Sequence, residues 1–142
     1  MNDINFKNRL PIQLRFNDID VIGHVNNSVY FNFFDLGKTA YFDEVMGKHV
    51  DWANADMVIR HIEADFQAPT FYRDNIEVDS AVVKIGVKSF TMEQRIVDRD
   101  NGAVKCVCTT VMVGFNPQTN QSQEIAAEWK DAIRKYEKNP NL

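Results

Sequence analysis

Asp18-Ile19-Asp20-Val21-Ile22-Gly23-His24-Val25-Asn26-Asn27-Ser28-Val29-Tyr30 is a polar loop that runs without a break into the most aromatic segment of the chain. Two aspartates, a glycine, a histidine and adjacent asparagines precede a stretch, Ser28 to Met46, that reads as a helix. Asn26, Asn27 or Ser28 can cap it, because a short side-chain acceptor satisfies one of the unpaired N–H groups at a helix start. Gly47 suits its exit. Val29, Tyr30, Phe31, Phe33, Phe34 and Leu36 leave only a narrow polar stripe of Asn32, Asp35 and Thr39. A helix apolar around most of its circumference is enclosed by the rest of its domain. At about 1.5 Å per residue it spans about 28 Å, long for a protein of this size. Gly37 costs about 1 kcal/mol in a helix interior, and predicts close approach to another backbone.

Working outward, Leu10 to Phe16 alternates apolar and polar residues and reads as a half-buried strand. Beyond the helix, Met57 to Phe66 alternates and Gln67-Ala68-Pro69 ends it. Asn75 to Ile85 is a further strand broken at Gly86, and Lys88 to Val97 alternates into the turn Asp98 to Gly102. Val104 to Phe115 is long and β-branched, stopped at Asn116-Pro117. A last helix, roughly Ile125 to Tyr136, carries Ala126, Trp129, Ile133 and Tyr136 at helical spacing. One strand, one long buried helix, four strands and a terminal helix argue α+β with an antiparallel sheet wrapped round the central helix.

The 142 residues fit one domain, 1–142, and 44% hydrophobic residues with ten Phe suffice for a core. Without an apolar run of about 18 residues the chain carries no membrane span, and no secretory-type N-terminus is present. A formal charge of −4 gives no support to nucleic-acid binding. Cys106 and Cys108, at i and i+2 on a strand, share a face and lack C-x-x-C spacing, which predicts free thiols in a reducing cytosol. No His, Asp, Glu or Cys cluster has metal spacing, so neither metal nor cofactor is expected.

Arg15-Phe16-Asn17-Asp18-Ile19-Asp20-Val21-Ile22-Gly23-His24-Val25-Asn26-Asn27-Ser28-Val29-Tyr30 closely resembles the signature loop of the 4-hydroxybenzoyl-CoA thioesterase-like branch of the hotdog-fold acyl-CoA thioesterases. Phe66-Gln67-Ala68-Pro69, Asp74-Asn75-Ile76-Glu77-Val78 and Gly86-Val87-Lys88-Ser89-Phe90 resemble further elements of that family, so the likeness extends over most of the chain. It implies a hotdog fold, Asp20 as the catalytic carboxylate, a backbone N–H at Asn27 that polarises the thioester carbonyl, and Gly23 as the residue that lets the loop turn. It also implies a homodimer or homotetramer with the acyl-CoA site between protomers. Where many members carry Glu-x-x-Arg, this chain has Asp35 and Lys38, which are expected to form a surface ion pair.

The residue types suit that chemistry. Hydrolysis of a thioester needs an activated water or a protein nucleophile, and a stabilised oxyanion. Asp20 can supply the first as base or by direct attack, and the positive end of the helix dipole can supply the second. Asp18 reads as a turn former or partner of Arg15. His24 either orients water or substrate, or holds the loop through backbone groups. Asn26 and Asn27 are caps or site residues, and Tyr30 lines the acyl pocket or belongs to the core. Lys84, Lys88 and Ser89 flank the Gly86 break, where they could meet CoA phosphates. Acyl carrier protein is the other thioester partner compatible with such a site. Two other functions share the residues: a hydratase or dehydratase using Asp20 and His24, and a non-catalytic acyl-CoA-binding protein on the same fold.

Overall fold

The computed structural model describes residues 4–142. Strand β1 (Asn8–Pro11) is followed by helix α1 (Asn27–Met46). Strands β2 (Met57–Phe66), β3 (Ile76–Ile85), β4 (Ser89–Asp98), β5 (Val104–Asn116) and β6 (Gln121–Gln123) come next, and helix α2 (Ala127–Glu137) ends the chain. The strands form one antiparallel sheet in the order β1-β3-β4-β5-β2, with β6 paired to β5.

Helix α1 begins and ends where its chemistry dictates. Asn26 stays extended and its side chain accepts from Ser28 N at 3.0 Å, while Gly47 closes the other end at φ +69°. The apolar face of α1 lies on the sheet in two clusters. Tyr30, Phe33 and Phe34 pack on Val78, Ile96, Cys106 and Cys108; further along, Tyr41 and Phe42 pack on Val82, Phe90, Met92 and Met112. Between them Gly37 lets helix and sheet touch: a Cβ there would stand 2.5 Å from Val78 Cγ1 and 2.8 Å from Gln94 Nε2. The buried Gln94 amide bridges the layers, donating to Phe34 O and Ser80 Oγ, each at 2.9 Å. Cys106 and Cys108 are free and buried on that face, and burial pushes the Cys106 thiol up to about 12.

Two expectations need correction. The alternation from Leu10 to Phe16 does not make a strand of that length. Pairing ends at Pro11, and after one further contact, Ile12 N to Ile76 O at 3.0 Å, the chain leaves the sheet. The reason is Asp18, fully buried, whose carboxylate draws Arg15 N (2.8 Å) and the Arg15 guanidinium (2.9 Å) into a 3₁₀ turn over Phe16–Asp18. Leu14 is therefore buried but Phe16 points into solvent. Second, Asp35 and Lys38 do pair, at 3.6 Å, but not on the surface, because the Lys38 side chain is only 6% exposed and its Nζ makes no hydrogen bond. Burial lowers the Lys38 pKa, partly offset by Asp35. Strand β2 has the bounds its alternation predicts, and it is an edge strand exposed on both faces, with Val58, Ile59, Ile62 and Phe66 all accessible. The short polar strand β6 carries no apolar alternation and leaves no signal in the sequence.

Candidate active site

The polar loop is a small hairpin standing at the entrance to α1. Ile19 and Val25 bridge its base, and Asp20 N donates to His24 O at 2.8 Å. Its tip turns at Gly23, whose φ of +88° is a conformation that side chains disfavour. Gly23 N donates to Asp20 O at 3.0 Å. The Asp20 carboxylate is held by its own loop: Oδ1 accepts from Ile22 N at 2.9 Å and from His24 N at 3.4 Å. Its other oxygen has no hydrogen-bond partner among the described residues, and the residue is partly exposed. One oxygen thus fixes the group and leaves the other available to chemistry.

The helix start offers a complementary donor. Ser28 N is satisfied by the Asn26 side chain and Val29 N by Asn26 O, at 2.9 Å. The Asn27 N–H, in the first helical position, can have no partner within the helix and finds none elsewhere among the described residues. The side chains of Asn26 and Asn27 are exposed, and that of Asn26 is committed to the cap.

Around this hairpin the structure supplies a second wall that sequence reasoning missed. Val25 N donates to Thr70 O at 2.8 Å, and His24 bridges to Phe71, the two rings meeting edge to face at 5.1 Å. The Thr70–Asp74 turn is itself pinned by Asp74, which accepts from Phe71 N at 2.9 Å and pairs with Lys105 Nζ at 3.2 Å. Pro69, Asp74 and Asn75 mark a turn in the sequence, but nothing local says which loop it meets. Tyr30 is placed beneath the site. It is 2% exposed and its hydroxyl donates to the buried Thr70 Oγ1 at 2.8 Å, so it ties the helix to this wall. Lys84, Lys88 and Ser89 are not brought to Asp20 within one chain. They cluster at the far end of β3 from Ile76, about 30 Å away at the usual rise of a strand. Among the described residues no group of three or more His, Cys, Asp or Glu side chains is gathered as a metal would require, and no helix is long and apolar enough to cross a membrane.

One long helix laid against an antiparallel sheet is the architecture of the hotdog fold. The profile of the thioesterase-like superfamily matches residues 14–133, and the chain belongs to that family. A thioesterase from Thermus thermophilus, crystallised with coenzyme A and zinc, is 26% identical, with a TM-score of 0.84 over 95% of this chain and 97% of that one. A predicted thioesterase from Bacillus stearothermophilus is 25% identical, with a TM-score of 0.81 over 94% and 98% of the two chains. A 1,4-dihydroxy-2-naphthoyl-CoA thioesterase from Synechocystis shares the fold at 17% identity, with a TM-score of 0.79 over 88% and 93%. No curated protein sequence matches significantly.

Proposed function

We propose that this protein hydrolyses acyl-CoA thioesters at Asp20, with the Asn27 N–H and the α1 dipole receiving the negative charge on the carbonyl oxygen. The observation that carries this reading is the asymmetric Asp20 carboxylate, one oxygen held by Ile22 N and His24 N and the other unpartnered. As base, the free oxygen takes a proton from water while the water oxygen bonds to the thioester carbon. As nucleophile, it bonds to that carbon itself and water later opens the mixed anhydride. In both routes the C–S bond breaks and CoA leaves as the thiolate. His24, held edge-on by Phe71, and Gly23 shape the hairpin, and Tyr30 braces it from below through Thr70.

The proposal includes a second copy. β2 presents an open edge with apolar side chains on both faces, a surface that isolated proteins normally blunt. Antiparallel pairing of β2 with itself would lay the Met57 end of one copy beside the Phe66 end of the other. That end packs on Tyr30 and Phe31 near the hairpin. Lys84, Lys88 and Ser89 of one copy would then serve Asp20 of the other, either as a dimer or within a tetramer. Two free buried thiols suit a cytoplasmic protein.

The test is thiol release from a panel of aromatic, short, medium and long acyl-CoAs, with acyl carrier protein thioesters alongside. Asp20→Asn should remove most turnover while the oligomer, followed by light scattering, is retained; full activity of this variant on the panel would overturn the reading. Rapid quench of a single turnover in ¹⁸O-labelled water separates the routes: an acyl group trapped on Asp20, or label in Asp20, marks a nucleophile, and neither of these marks a base.

A further inference from the structure

Strand β2 carries polar chemistry on its outer face that the site at Asp20 does not use. Ala64 and Phe66 stand opposite Cys108 and Cys106, which face α1, so His61, Glu63 and Asp65 point to the other side of the sheet. His61 Nε2 and Glu63 Oε2 lie 3.8 Å apart, and both side chains are exposed. That gap is too long for a hydrogen bond. It is close to the span of about 3.4 Å between an imidazole nitrogen and a carboxylate oxygen that share one tetrahedral metal ion. The surroundings are acidic. Glu63 stands opposite Thr109, whose hydroxyl donates to the Glu93 carboxylate at 2.8 Å and holds it one strand further in. Burial raises the Glu93 pKa, and the charge of Glu63 adds to the rise. Arg95, on the same face, is committed to Asp79 at 2.9 Å.

One chain supplies two ligands here, too few to hold a metal. Antiparallel pairing of β2 with itself about a two-fold axis doubles them. Residues directly opposite in such a pair share a face, so the axis passes through a residue facing itself. Two registers pair nine residues of β2: 57–65 about His61, or 58–66 about Ile62. Both gather His61 and Glu63 of the two copies on the outer face beside the axis. The first sets His61 against itself. The second sets each His61 opposite Glu63 of the other copy, base against acid, and Ile62 against Ile62 on the inner face, so charge favours it. We propose that two copies of the chain hold one divalent ion of the zinc type on this axis, through His61 Nε2 and Glu63 of each. Two imidazoles and two carboxylates are a closed tetrahedral set, with no position left for water or substrate, so the ion clamps the joint and takes no part in hydrolysis. The site rests on the β2 pairing given under Proposed function.

The experiment titrates zinc sulfate into the metal-free full chain by calorimetry, with light scattering in EDTA and in zinc alongside. Expected is saturable uptake of one zinc per two chains. His61→Ala, a change at an exposed position of an edge strand, should weaken that uptake by about a hundredfold or more, since loss of an outer-shell partner alone costs about 10–100-fold. His49→Ala should leave it intact, although His49 also faces a carboxylate, Asp43 at 3.2 Å. No saturable uptake, one zinc per chain, or uptake undiminished in His61→Ala would each overturn the site. Scattering in EDTA needs no metal and calorimetry needs no turnover, so the two readings fail separately. A dimer that takes up no zinc defeats the metal site alone. A chain that stays monomeric in EDTA and in zinc defeats the β2 pairing and, with it, the site.

Discussion

Replacing Gly37 with alanine sets two known effects against each other, and the structure says which prevails. In an exposed helix the change would stabilise by about 1 kcal/mol, the propensity difference between the two residues. Here the new methyl would lie 2.5 Å from Val78 Cγ1, 2.8 Å from Gln94 Nε2 and 3.1 Å from Ser80 Oγ. None of these neighbours has room to move, since Val78, Ser80 and Gln94 are all fully buried. Val78 is short, branched and fixed on a central strand, so helix and sheet must separate. Overpacking of this kind costs about 1–3 kcal/mol. Displacing Gln94 also forfeits its bonds to Phe34 O and Ser80 Oγ, about 1–3 kcal/mol more when a buried partner is left unpaired. The sum, less the propensity gain, is a net loss of about 1–5 kcal/mol. Urea denaturation followed by circular dichroism measures it. A Gly37→Ala protein as stable as the parent would refute the claim that this glycine sets the helix–sheet distance.

Tyr30→Phe removes the donor to Thr70 Oγ1 and strands that buried hydroxyl, so a loss of about 1–2 kcal/mol is expected. If Asp20 carries the reaction as proposed, a fall in kcat/KM should accompany it, since Thr70 O holds Val25 in the hairpin that bears Asp20; denaturation and steady-state assays check both. Lys38→Met should stabilise at neutral pH by about 1 kcal/mol or more, because it removes a buried ammonium that has no hydrogen-bond acceptor. The gain should shrink as pH rises. The folded pKa of Lys38 lies below its ordinary 10.5, so between the two values the unfolded chain binds more protons and the parent gains stability with pH up to about 10.5. Urea melts of parent and variant at pH 7 and pH 9 read the difference. Ile62→Asp, on the open edge strand, should leave the fold of each copy intact yet lower the mass seen by light scattering and the rate of thiol release together.

Legibility in the sequence follows the range of the forces. The bounds of α1 are legible to within one residue because Asn26 and Gly47 act on their immediate neighbours, and alternation marks β2 from Met57 to Phe66 as it stands. The first strand reads too long because Asp18 offers the backbone of Arg15 a competing partner, and alternation carries no sign of such a bond. The pairing of Asp35 with Lys38 follows from helical spacing, but spacing is silent on which flank of the helix the sheet will cover. At the site, the hairpin and helix cap are legible as a contiguous motif. The Thr70–Asp74 wall is not, since it meets the hairpin across more than forty residues of chain through long-range packing alone.

That division bears on the proposed assembly. One end of the sheet holds the carboxylate and the unpartnered helix N–H; the other holds Lys84 and Lys88. A parallel apposition of two β2 edges would set like ends together and leave both halves incomplete. Antiparallel apposition is the arrangement compatible with a two-fold axis through a shared sheet, and it sets unlike ends together twice. It also removes the one long exposed edge, covering Val58, Ile59, Ile62 and Phe66 in the same step. The feature that most threatens this chain with aggregation is therefore the one that, paired with itself, would complete two sites at once. The coupling has a direct consequence: changes on β2 far from Asp20 should lower turnover through loss of the second copy, while Asp20→Asn should lower it with the assembly untouched.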